Sequence, residues 1–194
     1  MSGTYPSSPG FTAIGFRTKT YSLSSETISG RVQVRSIGGS RFEFSVSYPP
    51  MTASEFNPVN AFIMAQQGQF ETFQITLPQI SEKSGTATGS VEVNEANGGA
   101  IGDTTVAIDG LTGEIKAGDM IKFAGHSKVY MVTTDRSGNG NLTFHPPLLS
   151  TVANDEDVIY DDVPFTVRLA NKVQEFGVNV SKHVAYEVDF IEAI

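Results

Sequence analysis

The sequence predicts a mainly β protein with one α-helix and a small β-barrel domain inserted into the chain. Three observations predict it. Nineteen Gly and nine Pro are spread along 194 residues, and between them lie short stretches of alternating polarity rich in Val, Ile, Thr, Phe and Tyr. One stretch alone, after Pro49-Pro50, changes to a helical period. At about residue 81 the composition shifts to Gly, Ser, Thr, Ala and Asn, followed by short, evenly spaced strand-like pieces.

In chain order, residues 31–35 and 41–48 read as two strands joined by a hairpin at Gly38-Gly39, since both central positions of such a turn need positive φ. That pairing puts Val32 and Val34 on one face with Phe42, Phe44, Val46 and Tyr48. Arg31, Arg35, Arg41 and Glu43 take the other face. Thr52-Ala53-Ser54-Glu55 then fits a capping box, with Met51 and Phe56 at staple spacing. Phe56, Val59, Phe62 and Ile63 form one apolar stripe, and Gly68 is a C-terminal stop. Pro58 offers an alternative start, with Asn57 as the cap. Residues 70–77 return to period 2. Beyond residue 81, strands are expected near 91–93, at 104–108, 120–124, 128–134 and 141–145, separated by turn signals such as Asp109-Gly110 and Gly138-Asn139-Gly140. Longer strands resume at 164–169 and 184–191, with a weaker one near 175–180.

Charge and composition exclude several classes. The net charge is −8, which argues against a protein that holds nucleic acid by neutralising phosphates. The absence of cysteine removes disulfides, thiolate metal sites and cysteine nucleophiles. No apolar run reaches the roughly 20 residues of a membrane span, and the first sixteen residues do not read as a signal peptide. The acidity is uneven. Residues 1–80 hold five Lys/Arg against four Glu, residues 81–164 hold five against thirteen Asp/Glu, and residues 165–194 hold three against four. The excess marks a domain boundary and suggests that the inserted domain faces solvent.

Few residues suggest chemistry. His126, His145 and His183 are the possible general bases, but no hydrolase, phosphate-binding, zinc or dinucleotide motif accompanies them. Residues 135–141 resemble a calcium loop without its closing Glu and read better as a hairpin. Asp155-Glu156-Asp157 and Asp161-Asp162 read as solvated carboxylates rather than a cation clasp. No catalytic, cofactor or metal residue is therefore assigned, and no cofactor is expected. Arg31, Arg35, Arg41 and Glu43 form a charged face that reads either as an exposed salt-bridged surface or as a subunit interface, where arginine is favoured.

Residues 16–78 carry a recognisable pattern: Phe16-Arg17, a Gly-rich turn, Arg41-Phe42-Glu43-Phe44-Ser45-Val46, a Pro-Pro-Met and short helix with Asn60-Ala61-Phe62-Ile63. Gln67-Gly68-Gln69-Phe70-Glu71-Thr72-Phe73 then leads to Leu77-Pro78. It resembles the N-terminal domain of phage distal tail proteins and related tail-tube-like subunits, with residues 164–169 and 186–192 resembling the strands that complete it. The resemblance implies a tail-tube-like β-sandwich or barrel core from residues 1–80 and 164–194, one flanking helix, and an inserted β-rich domain at 81–163. It further implies a non-enzymatic virion component assembled in the host cytoplasm. This would be a homo-oligomeric ring, expected to be hexameric, that adapts the tail tube to tail-tip or baseplate hub proteins and lets DNA pass without specific binding; no membrane is involved. Two alternatives remain open. One is a carbohydrate-binding module using Tyr130, Phe144, His126 and Asn141, and the other is a small hydrolase using His145 and nearby aspartates.

Overall fold

The computed structural model describes residues 3–96 and 98–194. Two compact units can be distinguished. The first comprises the segment ending at Arg17 together with Phe42–Leu77 and Pro164–Ile194; the second comprises Thr18–Arg41 and Pro78–Val163.

The first unit is organised by a sheet of β1 (Ala13–Lys19), β4 (Arg41–Ser47), β16 (Val184–Glu192), β14 (Phe165–Leu169) and β5 (Phe73–Ile75), in that order, with β15 (Phe176–Val178) also beside β16. Strict alternation sets its two faces. Phe42, Phe44 and Val46 are buried while Glu43, Ser45 and Ser47 point the other way, because successive strand residues project oppositely. Phe44 meets Phe165 edge-on at 4.8 Å, and Phe73 meets Phe190 at 5.6 Å, geometries that suit the aromatic quadrupole.

The helix α1 (Ala53–Ala65) starts where the capping box places it. The Glu55 carboxylate accepts from the backbone N–H and the hydroxyl of Thr52, both at 2.8 Å, which also holds that carboxyl below its usual pKa. Pro58 lies inside the helix, so the alternative start at Asn57 is not used. Phe56, Val59 and Ile63 are buried, and Phe62 packs edge-on against Phe73 at 5.2 Å. The helix therefore lays its apolar stripe on the aromatic face of the sheet. Gln67 and Gly68 take φ of 53° and 66° and end it.

The expected hairpin between residues 31–35 and 41–48 does not form. Gly38 and Gly39 do adopt φ of 82° and 72°, but β3 (Val32–Ser36) pairs with β2 (Ser22–Glu26) instead. The reason is competition for edges: β4 is taken by β1 and β16, with Val46 opposite Val188 and Phe44 opposite Phe190. Val32 and Val34 are exposed as a result and do not share a buried face with Phe42.

In the second unit, β13 (Val158–Ile159), β9 (Met120–Phe123), β10 (Val129–Val132), β12 (Gly140–His145), β7 (Thr105–Asp109) and β6 (Glu92–Val93) form a sheet in that order. Its two ends meet. Val93 N–H donates to Glu156 C=O at 3.0 Å and Val158 N–H to Val91 C=O at 2.8 Å, so the sheet closes into a barrel. Phe123, Tyr130, Leu142 and Phe144 fill it together with Val and Ile side chains. A two-stranded ribbon of β8 (Glu114–Ile115) and β11 (Arg136–Ser137) completes the unit. Every barrel strand except β13 lies where the pattern predicts one. The two-residue strands β8, β11 and β13 were invisible because two residues cannot display a period.

Candidate assembly surface

The four charged residues expected at an interface are distributed over two elements. Arg31 and Arg35 lie on the β2–β3 ribbon, whereas Arg41 and Glu43 occupy alternate positions of β4. The ribbon turns at residues 27–31, where Thr27 N–H donates to Arg31 C=O at 3.0 Å and Gly30 takes φ of 76°. Leu23 stands opposite Arg35, and Ile37 N–H reaches Tyr21 C=O at 3.0 Å. Opposed residues share a face, so Tyr21, Leu23, Arg31, Arg35 and Ile37 lie together. Val32 and Val34 lie on the other face with Glu26. Both faces are open: Leu23, Val32, Val34 and Ile37 are 64, 57, 67 and 61 % exposed. Arg41 differs, since its Nε is buried with no hydrogen-bond acceptor.

A second open surface lies within the first unit, where β15 meets β16. A groove there is lined by Tyr48, Glu175, Phe176, Ala185, Tyr186 and Glu187. Tyr186 stacks on Tyr48 at 6.1 Å, and burial pushes both phenols up to about 12. Tyr48 donates to the Tyr5 hydroxyl at 2.8 Å. Glu187 accepts from Ser45 Oγ at 2.9 Å, which fixes one carboxylate at the rim.

The remaining sequence candidates have structural occupations. Arg136 folds back on its own turn and donates to the carbonyls of Ser137, Gly138 and Asn139, and Asp135 accepts from Ala117 N–H at 2.8 Å, so residues 135–141 are a braced hairpin. Glu156 accepts from Gly125 and Ala153 N–H, and Lys83 pairs with Asp161 at 2.9 Å. His126 Nε2 lies 3.2 Å from Thr151 C=O, while His145 ends β12 and His183 precedes β16. Tyr130 and Phe144 are buried in the barrel. The proposed sugar platform is therefore corrected: two rings whose faces fill a core cannot stack on a saccharide.

A family model described as "Distal tail protein pb9, B domain" matches residues 83–163. Beyond that segment, distal tail protein pb9 of Escherichia phage T5 is 24 % identical over 182 residues, covering 91 % of this chain and 87 % of that protein. The chain is a relative of phage distal tail proteins. This distal tail protein relative thus matches the class expected from its N-terminal pattern, a structural protein of the phage virion's tail. Sequence reasoning missed the open ribbon. Its Ser, Thr and Arg alternate with Val and Leu as in any half-buried strand pair, and nothing in residues 22–36 signals that neither face is covered.

Proposed function

We propose that this chain is a ring-forming distal tail subunit that joins the tail tube to the tail-tip or baseplate hub. Six copies, assembled in the host cytoplasm, enclose a channel through which DNA passes, and no enzymatic chemistry takes part. The core of the subunit is discontinuous, 1–80 with 164–194, and carries 81–163 as an inserted domain. One observation carries the reading. The chain buries two well-packed aromatic cores and yet leaves Leu23, Val32, Val34 and Ile37 exposed on a two-stranded ribbon, and such a ribbon is marginal in water without a partner. Kinship with a phage distal tail protein supports the same reading. Light scattering and electron microscopy of the purified protein should reveal rings. A protein that stays monomeric and never enters tails in infected cells would defeat the proposal.

A further inference from the structure

The ribbon and the groove have complementary chemistry. On the ribbon face, Tyr21, Leu23 and Ile37 form an apolar strip accompanied by the two cations Arg31 and Arg35. The open face of β15 and β16 carries two carboxylates, Glu175 and Glu187, on the same side as Gly177 and Ala185, whereas Phe176 and Tyr186 alternate to the opposite side, where Tyr186 is buried with Tyr48. The open face is flat, because Gly177 stands opposite Ala185 across β15 and β16, so a second pair of strands can approach closely. Arginine's planar fork suits carboxylates bidentately.

We infer that the Tyr21–Leu23–Arg35 face of the β2–β3 ribbon docks into the β15–β16 groove of a second copy of this chain, with Arg31 and Arg35 meeting Glu175 and Glu187. Both halves of the contact are carried by one sequence with opposite charges, which makes another copy the fitting occupant. The contact is heterologous: each copy gives a ribbon and receives one, and such contacts close into a ring when the rotation permits. This inference rests on the ring reading above and names the surfaces that build it.

The absence of cysteine allows a clean test. The full-length variants Leu23→Cys and Ala185→Cys are mixed and oxidised with oxidised glutathione; they should form disulfide-linked heterodimers far above the level given by Leu23→Cys with Ser137→Cys on the barrel. Adding Arg35→Glu to the ribbon partner should lower the yield by about tenfold, and adding Glu187→Arg to the groove partner should restore it. Yields no higher than the Ser137 control, or reversal without rescue, overturn the docking. Rings seen by light scattering without this cross-link overturn the pairing of surfaces alone. A chain that neither assembles nor enters tails overturns the ring reading as well.

Discussion

Carboxylates in the barrel unit work mainly as acceptors for turns. Asp119 is buried and accepts from Ser84 N–H and Oγ and from Lys116 N–H at 2.6–2.9 Å. Glu95 likewise accepts from Ala107 N–H, and Asp103 from Ala100 N–H. The acid excess of residues 81–164 was legible in the composition, but its purpose was not, because a count of charges does not say which backbone N–H groups lack a partner. Asp119→Ala strands three donors, and urea unfolding should show a loss of about 2–3 kcal/mol. Gly110 is equally constrained. It takes φ of 72°, and a Cβ there would stand 1.9 Å from Ser90 C=O; Gly110→Ala is expected to cost about 1–3 kcal/mol in the same assay. The tyrosines provide a pH readout. Tyr48 and Tyr186 are raised from 10.0 to about 12 by burial, and Tyr5 is pushed higher still. A raised pKa in the folded state gives stability that is intact below pH 10 and lost as pH climbs from 10 towards 12. Tyrosinate absorbance should therefore rise in two steps, the later one coinciding with unfolding.

Among the elements, the helix was fully legible and the hairpin was not, for opposite physical reasons. A helix start is a local event: Thr52 and Glu55 are three residues apart and satisfy each other wherever the helix packs. Strand pairing is a contest decided at long range, and β16, some 140 residues away, wins the edge of β4 that residues 31–35 were expected to hold. The period-2 pattern placed Phe42, Phe44 and Val46 inward without saying which strand lies beside them. Glu55 allows the local part to be measured. The Thr52 backbone N–H, then its hydroxyl, hold the carboxyl below its usual value, so its support for the first turn is present above the ordinary carboxylate pKa and fades as pH falls through the lowered one. Protection factors of the amides at the start of α1, measured against their intrinsic exchange rates, should fall on acidification, and Glu55→Gln should abolish most of that pH dependence.

At the scale of the whole molecule, β5 and β14 are antiparallel neighbours, with Phe165 opposite Ile75 and Thr166 opposite Gln74. The chain between them is thus the loop of a hairpin, enlarged to hold a closed barrel. The two ends of that loop are tied together: Val163 N–H donates to Ser81 C=O at 3.0 Å, and Lys83 binds Asp161 at 2.9 Å, which lowers the aspartate's pKa and raises the lysine's. The ion pair is complete at neutral pH; acid removes its aspartate half and strong alkali its lysine half. A fragment spanning residues 78–163 should fold alone with a cooperative thermal transition, and a non-cooperative melt would refute that autonomy. The open β2–β3 ribbon has a different consequence, for storage and handling. An uncovered strand pair invites indiscriminate sheet stacking, and here Arg31 and Arg35 stand among its apolar residues as gatekeepers. Their repulsion keeps like ribbons apart, so that salt, by weakening it, is expected to make the purified protein precipitate sooner.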